Sequence, residues 1–303
     1  MNKEELFNRL NIKPISIKRK GKVTIITTPE KKYVLKPQRR KSDLYDYLLT
    51  RNFNFFPKIY TKVEDEIELM DYIEELEIPK EQKLEDLIYL TSILHKNTSF
   101  DEVNDIDNIK ELYEQLSDKQ TALFNYYQEL QNVIEKEIYM SPANYLLIRN
   151  ITMVYIAINK SRYYLEEWYK IVKNETSIRY AYIHGNLELH HLIEGNNLAL
   201  ISWDNSKIAY PIDDLEYFYR NSYNDISLKD ILDIYESKYP LKKEEKYLLF
   251  ALILIPNKID FTALEYPKTK QVSNLILYLE KTLNVLKNYF KETNNNTSKQ
   301  DKY

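Results

Sequence analysis

The residues of this chain that could do chemistry stand in two places. Lys36 closes the apolar run YVLK, and a second set lies in HGNLELHH, LISWDN and YPIDDL: His184, Gly185, Asn186, Glu188, His190, His191, Ser202 and Asp204, followed by Pro211, Asp214 and Leu215. A lysine at a strand end can hold phosphate, and phosphoryl transfer then needs a carboxylate to accept a proton and two oxygen ligands for Mg²⁺. His190, His191 and Asp204 offer a transition-metal set instead. Adjacent residues on an extended segment point to opposite faces, however, so the two imidazoles do not easily share one ion. Each residue also has a plain reading. Lys36 stands in a run with Lys31, Lys32, Arg39, Arg40 and Lys41, where lysines are usually solvated. His184 reads as a loop histidine held by hydrogen bonds, Asp204 as the cap of a turn with Asn205 and Ser206, and Asp214 as an acceptor that orders its loop.

Composition removes several alternatives. The 303 residues include no cysteine and three glycines, with 28 tyrosines. Gly21, Gly185 and Gly195 stand far apart, so no glycine-rich phosphate loop can form. Without cysteine there is no disulfide framework, zinc ribbon, iron–sulfur cluster or catalytic thiol, which fits a reducing compartment. Lys+Arg number 43 against 46 Asp+Glu, a formal net charge of −3. A nucleic-acid partner, which calls for a basic excess, is not expected. The local runs Lys18 to Lys22 and Lys36 to Lys41 remain as a basic surface. No apolar stretch is long enough to span a membrane and MNKEELFNRL lacks the apolar region of a signal peptide, so the expected location is the cytosol.

The elements that must position these residues follow from periodicity. From Pro14 to Leu35, β-branched runs alternate with turns at Lys20-Gly21 and Thr28-Pro29-Glu30, which predicts three strands. SDLYDYLLTRNF is a short amphipathic stretch, and FFPKIYTKV and EIELMDYIEE read as two further strands. Beyond about residue 75, KLEDLIYLTSILHKNTSF, the run from about Ile109 to Lys136 and NYLLIRNITMVYIAINKSRYYLEEWYKIV show helical spacing almost free of Gly and Pro. YAYIHGNLELHHLIEGNNLALISWDN is expected to hold a hairpin turned by EGNN. Residues 241–290 return to helix, and KETNNNTSKQDKY reads as a polar tail. Tyr155, Tyr163, Tyr164 and Tyr169 recur at helical spacing as core residues, with surplus exposed tyrosines as a partner or cross-linking surface.

At HGNLELHH, LISWDN and YPIDDLEYF the chain resembles the aminoglycoside phosphotransferase and choline kinase superfamily, whose pattern is H-G-D-x-x-x-x-N, then an I-D-[FW]-[DE] strand, then P-x-x-D-L. LHKNTSF, the segment around SRYYLEE and YESKYPLKKEEKYLLFALILIPNKIDF are similar to bacterial spore coat proteins of the CotS and YutH type. The resemblance implies an α+β, two-lobed kinase-like fold: a β-rich N-lobe over 1–75, a helical C-lobe over 76–290 and a disordered tail over 291–303. It implies Lys36 as the nucleotide-holding lysine, ATP and Mg²⁺ as cofactors, and Gly185, Pro211, Asp214 and Leu215 as structural motif positions. In its spore coat branch it implies coat or assembly proteins as partners and the spore coat as location.

The departures from the pattern fall on the chemistry. Asn186 stands where the family has its catalytic base, and an amide accepts no proton at neutral pH. His191 replaces the metal-binding Asn and Ser202 the metal-binding Asp. Asp204, on an extended strand, would share a face with Ser202 but lie about 6.6–6.8 Å further along, whereas Mg²⁺ holds its oxygens at about 2.0–2.1 Å. Glu188 as a substitute base meets the same difficulty. The lysine's helix glutamate is also absent, with Asp43 or Asp46 as the nearby acids. Loss of a general base removes about 10²–10⁴ in rate, and loss of the metal a comparable factor. From about 1–100 per second, about a turnover per day remains. The sequence therefore reads as a pseudokinase with no intact catalytic residue and no required cofactor, acting in assembly or interaction. The alternatives are an active small-molecule phosphotransferase with a metal displaced onto Asp204, and a nucleotide or metabolite sensor.

Overall fold

The computed structural model of the chain describes residues 3–37, 44–61, 65 and 67–300, with side chains from 5 to 287 within those limits. Along the chain run α1 (Lys3–Arg9), β1 (Ser16–Lys20), β2 (Val23–Thr27), β3 (Lys32–Pro37), α2 (Leu44–Thr50), β4 (Ile67–Asp71) and α3 (Lys80–Thr98). There follow β5 (Phe100–Val103), α4 (Ile106–Ile134), α5 (Pro142–Val172), β6 (Ser177–Ile183), β7 (Leu192–Glu194), β8 (Leu198–Leu200) and β9 (Lys207–Ala209). The chain ends in α6 (Ile212–Ser222), α7 (Leu228–Glu236), α8 (Lys243–Ile253) and α9 (Glu265–Gln300). Two compact units result, one of residues 1–99 with 182–208 and one of residues 100–181 with 209–303.

The first unit is built on an antiparallel sheet in the order β1-β2-β3-β4. The three expected strands between Pro14 and Leu35 are present. Gly21 opens the two-residue β1–β2 turn at φ +59°, as tight hairpins require of their first central residue. Thr28 closes the next turn, its Oγ1 donating to the Lys31 carbonyl at 2.8 Å. Leu6, Ile12, Ile26, Leu35 and Leu69 form a buried cluster on one face of the sheet.

One expected strand is not formed. FFPKIYTKV makes an isolated bridge, Ile59 to Met70, with Tyr60 N–H donating to the Leu69 carbonyl and Asp71 N–H to that of Lys58, both at 2.9 Å. Pro57 has no N–H to extend the ladder, and residues 62–64 and 66 lie outside the description. The Phe55 carbonyl instead accepts from Leu200 N–H at 2.8 Å, fastening the β7–β8 hairpin. That hairpin is the one expected at EGNN, with Ile193 opposite Ala199. Helix α3 buries Leu84, Leu87, Ile88, Thr91, Leu94 and Thr98, the i, i+3, i+4 stripe of an amphipathic helix.

The second unit is mainly helical. α5 is the long central element, burying Leu147, Ile151, Val154, Ile158, Leu165 and Trp168 and packing on α4, α8 and α9. A buried polar relay pins it: Gln120 Nε2 donates to Ser161 Oγ at 2.8 Å, and Ser161 Oγ donates to the Ala251 carbonyl at 2.6 Å. Arg179 on β6 grips buried Glu245 with Nε at 2.8 Å and with Nη2, and its guanidinium carbon lies 4.0 Å from the Tyr239 ring centroid. β5 and β6, paired with Phe100 opposite Tyr180, were not anticipated. Among the singled-out tyrosines, Tyr164 is buried, Tyr163 is exposed, Tyr169 stacks on Tyr113 at 4.4 Å, and the Tyr155 hydroxyl donates to Gln131 at 2.7 Å. Helix α9 runs to Gln300, and residues 301–303 of the expected tail lie outside the description. Among the described residues no helix is long and apolar enough to cross a membrane.

Glu265, at the start of α9, caps another helix. Its carboxylate accepts from Ala143 N–H in the first turn of α5 at 2.8 Å and pairs with Lys268 at 3.0 Å. Those bonds, the backbone one foremost, hold its pKa down at about 2, below the 4.5 of an ordinary glutamate. A depressed carboxylate stabilises the fold above its unfolded pKa and loses that contribution as pH falls through the folded one. Glu265→Gln is therefore expected to lower the melting temperature at pH 7, with the gap to the unmodified protein closing between pH 4.5 and about 2. A gap unchanged from pH 7 to pH 3 in a thermal melt series would sink this assignment.

Candidate functional site

Antiparallel register decides the surroundings of Lys36. β3 and β4 pair with Lys36 directly opposite Glu68. Glu68 has no solvent exposure and accepts from the Tyr45 hydroxyl of α2 at 3.3 Å. The Lys36 ammonium lies 3.9 Å from Glu68 Oε1 and 3.6 Å from Asp204 Oδ1, with Lys36 15% and Asp204 33% exposed. One cation thus sits between two acids. The partner of Lys36 comes from the neighbouring strand and not from α2: Asp46 is exposed there, and Asp43 lies outside the description. Glu68 and Tyr45 were missed in the sequence. Nothing local signalled them: in EIELMD the acids alternate with Ile67 and Leu69, which reads Glu68 onto the face away from the apolar cluster.

His184 follows β6 and is fully buried. Its Nε2–H donates to the Ile201 carbonyl at 2.8 Å, and its ring meets Trp203 edge to face at 4.9 Å. Gly185 is at φ +74°, and a Cβ there would stand 2.3 Å from the Asn205 carbonyl oxygen. The loop closes on itself at the next residue, where the Asn186 carbonyl accepts from His191 Nδ1–H at 2.7 Å. His191 N–H and carbonyl are also engaged, the first with Glu188 and the second with Ile201 N–H, both at 2.9 Å. Burial pushes the His191 pKa below 6.5, so the ring is neutral at pH 7.

Two extended segments assumed from sequence are in fact turned. Residues 189–191 form a single 3₁₀ turn. His190 Nδ1 faces Glu188 at 3.2 Å while His191 faces Asn186, so the two imidazoles serve different partners. Residues 203–205 form a second 3₁₀ turn, entered through Ser202 in the left-handed region at φ 66°, ψ 47°. Asp204 therefore does not follow Ser202 along a strand: the reversal directs its carboxylate to Lys36. Trp203 anchors the turn by donating to the Leu200 carbonyl at 2.9 Å, and Ser206 Oγ donates to the Trp203 carbonyl at 2.7 Å. In the other unit, Pro211 precedes α6, and Asp214 and Leu215 in its first turn have no exposure.

The donors at the degenerate positions do not fit Mg²⁺, which takes hard oxygen ligands in near-octahedral geometry. They are a neutral imidazole with Nδ1 spent on a carbonyl and a serine hydroxyl, and Asp204 is paired with a cation. Among the described residues no group of three or more His, Cys, Asp or Glu side chains is placed to hold a metal ion.

Comparison with known proteins bears on the fold. No protein-family model and no curated protein sequence matches the chain. Among solved structures, an aminoglycoside phosphotransferase from Alicyclobacillus acidocaldarius superposes with a TM-score of 0.71 at 9% identity, covering 97% of each chain. The AMP-bound spectinomycin phosphotransferase APH(9)-Ia superposes at 0.53 with 12% identity, over 92% of this chain and 98% of that one. The chain has the α+β, two-lobed kinase-like fold of these phosphotransferases.

The geometry makes two expectations. Lys36→Met removes a cation from beside the buried Glu68 carboxylate and should cost up to about 3–5 kcal/mol, whereas adding Glu68→Leu should recover part of the loss. Urea denaturation of the four members of this cycle reads the coupling, and additive losses would refute it. Gly185→Ala adds a clash with backbone to a left-handed φ and should cost about 3 kcal/mol. Gly21→Ala, with nothing within 4 Å of its added Cβ, should cost only the conformational part, about 1–2 kcal/mol. Equal losses in the two variants would contradict the close approach.

Proposed function

We propose that this protein is a catalytically silent member of the phosphotransferase fold class that works by binding other proteins, as an assembly or interaction component of the kind the spore coat resemblance implies. The observation that carries the reading is the pairing of Asp204 with Lys36. The carboxylate nearest to a metal-ligand position is turned onto the lysine that would hold phosphate. With Glu68 on its other side, that lysine is paired with two acids among the described residues, which disfavours an added polyanion there. Asn186 in the base position cannot take a proton from a substrate hydroxyl. Glu188, the other carboxylate of the loop, faces His190.

The competing reading is an active phosphotransferase of a small hydroxylated molecule, in which Asp204 leaves Lys36 to take a metal. Its partial exposure and the 3.6 Å separation make the pair breakable. Thermal melts of the full chain with millimolar ATP, with and without Mg²⁺, separate the two. A ligand at about 100 times its Kd stabilises by about 2.7 kcal/mol, so the silent reading expects no shift, and a clear rise overturns it. ATP consumption abolished by Asp204→Ala would establish the competing reading. The triple variant Asn186→Asp, His191→Asn and Ser202→Asp is expected to gain an Mg²⁺-dependent shift with ATP. Position 202 suits the change, since Asp tolerates the left-handed region better than most residues.

A further inference from the structure

The helical unit contains a cavity of about 540 Å³ and a neighbour of about 420 Å³, and both are lined by Arg220, Asn257 and Lys258. Arg220 ends α6. Its Nε donates to Glu216, and its Nη2 donates to the carbonyls of Leu252 at 2.6 Å and Ile255 at 3.1 Å. Its Nη1 is buried and has no partner among the described residues. With that nitrogen out of reach of the cavity, the guanidinium acts on it through its charge. Lys258 is exposed, with its ammonium 4.4 Å from the Tyr126 ring centroid, and it pairs with no carboxylate among the described residues.

The remaining wall of the larger cavity is apolar and amide-bearing. Ile259, Leu275 and Tyr278 are 2%, 5% and 6% exposed, and the Tyr278 hydroxyl is spent on the Ile253 carbonyl at 2.7 Å. Gln271 accepts from Asp260 N–H at 3.0 Å through Oε1, which leaves its amide donors for another group. No carboxylate lines this cavity. Asp260, next to it in sequence, is turned onto the N–H and hydroxyl of Thr262 at 2.9 and 2.5 Å. Glu216, on the smaller cavity, answers part of the Arg220 charge, and the guanidinium carbon lies 5.5 Å from the Tyr278 ring centroid, so the wall is net positive beside apolar and amide groups.

We propose that the larger cavity binds a small organic monocarboxylate, its carboxylate at the Arg220–Lys258 wall and its apolar body against Ile259, Leu275 and Tyr278. A phosphate dianion matches this wall less well, because Glu216 opposes the second charge. The site lies wholly within the helical unit and does not depend on whether the chain transfers phosphate.

The test uses the full chain with benzoate and hexanoate as probes, and benzamide and hexanamide as uncharged counterparts of the same shape. Calorimetry and thermal melts should show saturable binding of the acids and none of the amides. Lys258→Ala should weaken benzoate about tenfold, the scale of one charge-assisted hydrogen bond. Asn274→Trp, at an exposed cavity position on α9, should abolish binding without altering the circular dichroism spectrum. Equal binding of acid and amide, or affinity unchanged by both variants, would overturn the proposal. Phenyl phosphate binding more than about tenfold tighter than benzoate would overturn the monocarboxylate assignment in favour of a dianion. None of these readouts involves ATP, so their failure is distinguishable from failure of the silent-phosphotransferase reading.

Discussion

A carboxyl group with no solvent exposure, Glu68, sets the terms for the sheet-bearing unit. Burying such a group is tolerable only when a cation and hydrogen bonds answer it. Lys36 supplies the cation from the opposing strand and Tyr45 the hydroxyl from α2, so one buried charge ties together three elements. The lysine thereby has a structural use that does not depend on phosphate. Asp204 adds a second acid to that cation.

Backbone geometry is set just as firmly around Gly185 and Ser202. Gly185 has no room for a side chain because the 203–205 turn runs against it. That turn is entered through Ser202 in a conformation costing an ordinary L-residue about 1–2 kcal/mol. A serine gains little from such strain, and the surrounding contacts must impose it. They are visible: Trp203 buried against His184 and Phe53, its indole N–H on the Leu200 carbonyl, and Leu200 N–H on the Phe55 carbonyl. The loop shape is held by this packing and by hydrogen bonds, that of His191 Nδ1–H to the Asn186 carbonyl among them.

These particulars show what was legible in the sequence. Hairpins announced by Gly21 and by EGNN, and helices carrying an unbroken apolar stripe, were readable because their signals are local. Two kinds of feature were not. Register pairs residues far apart in the chain, so the partnership of Lys36 with Glu68 could not be seen from the neighbourhood of either, and acids near α2 were considered instead. The conformation of short polar segments was the other. LHH and WDN look extended beside the apolar runs they adjoin, yet each completes a 3₁₀ turn because buried side chains, His191 and Trp203, find carbonyl acceptors only when the chain reverses. In FFPKIY the aromatic and β-branched residues suggested a strand, and Pro57 limited it to one bridge.

Charge distribution carries the synthesis one step further. In the sheet-bearing unit the groups that would engage a phosphorylated ligand face one another: ammonium to carboxylates, imidazole to carbonyl, glutamate to histidine. Such internal satisfaction lowers the affinity for any outside ion, because a ligand must first break what it replaces. In the helical unit α6 begins with Asp214 fully buried, and Arg220 in its last turn lines a cavity together with Lys258, which pairs with no carboxylate among the described residues. Capacity for recognition depends on polar groups that folding leaves incompletely paired and on space in which to pair them. By that criterion the surroundings of Lys36 are the less receptive of the two places, and the end of α6 the more receptive.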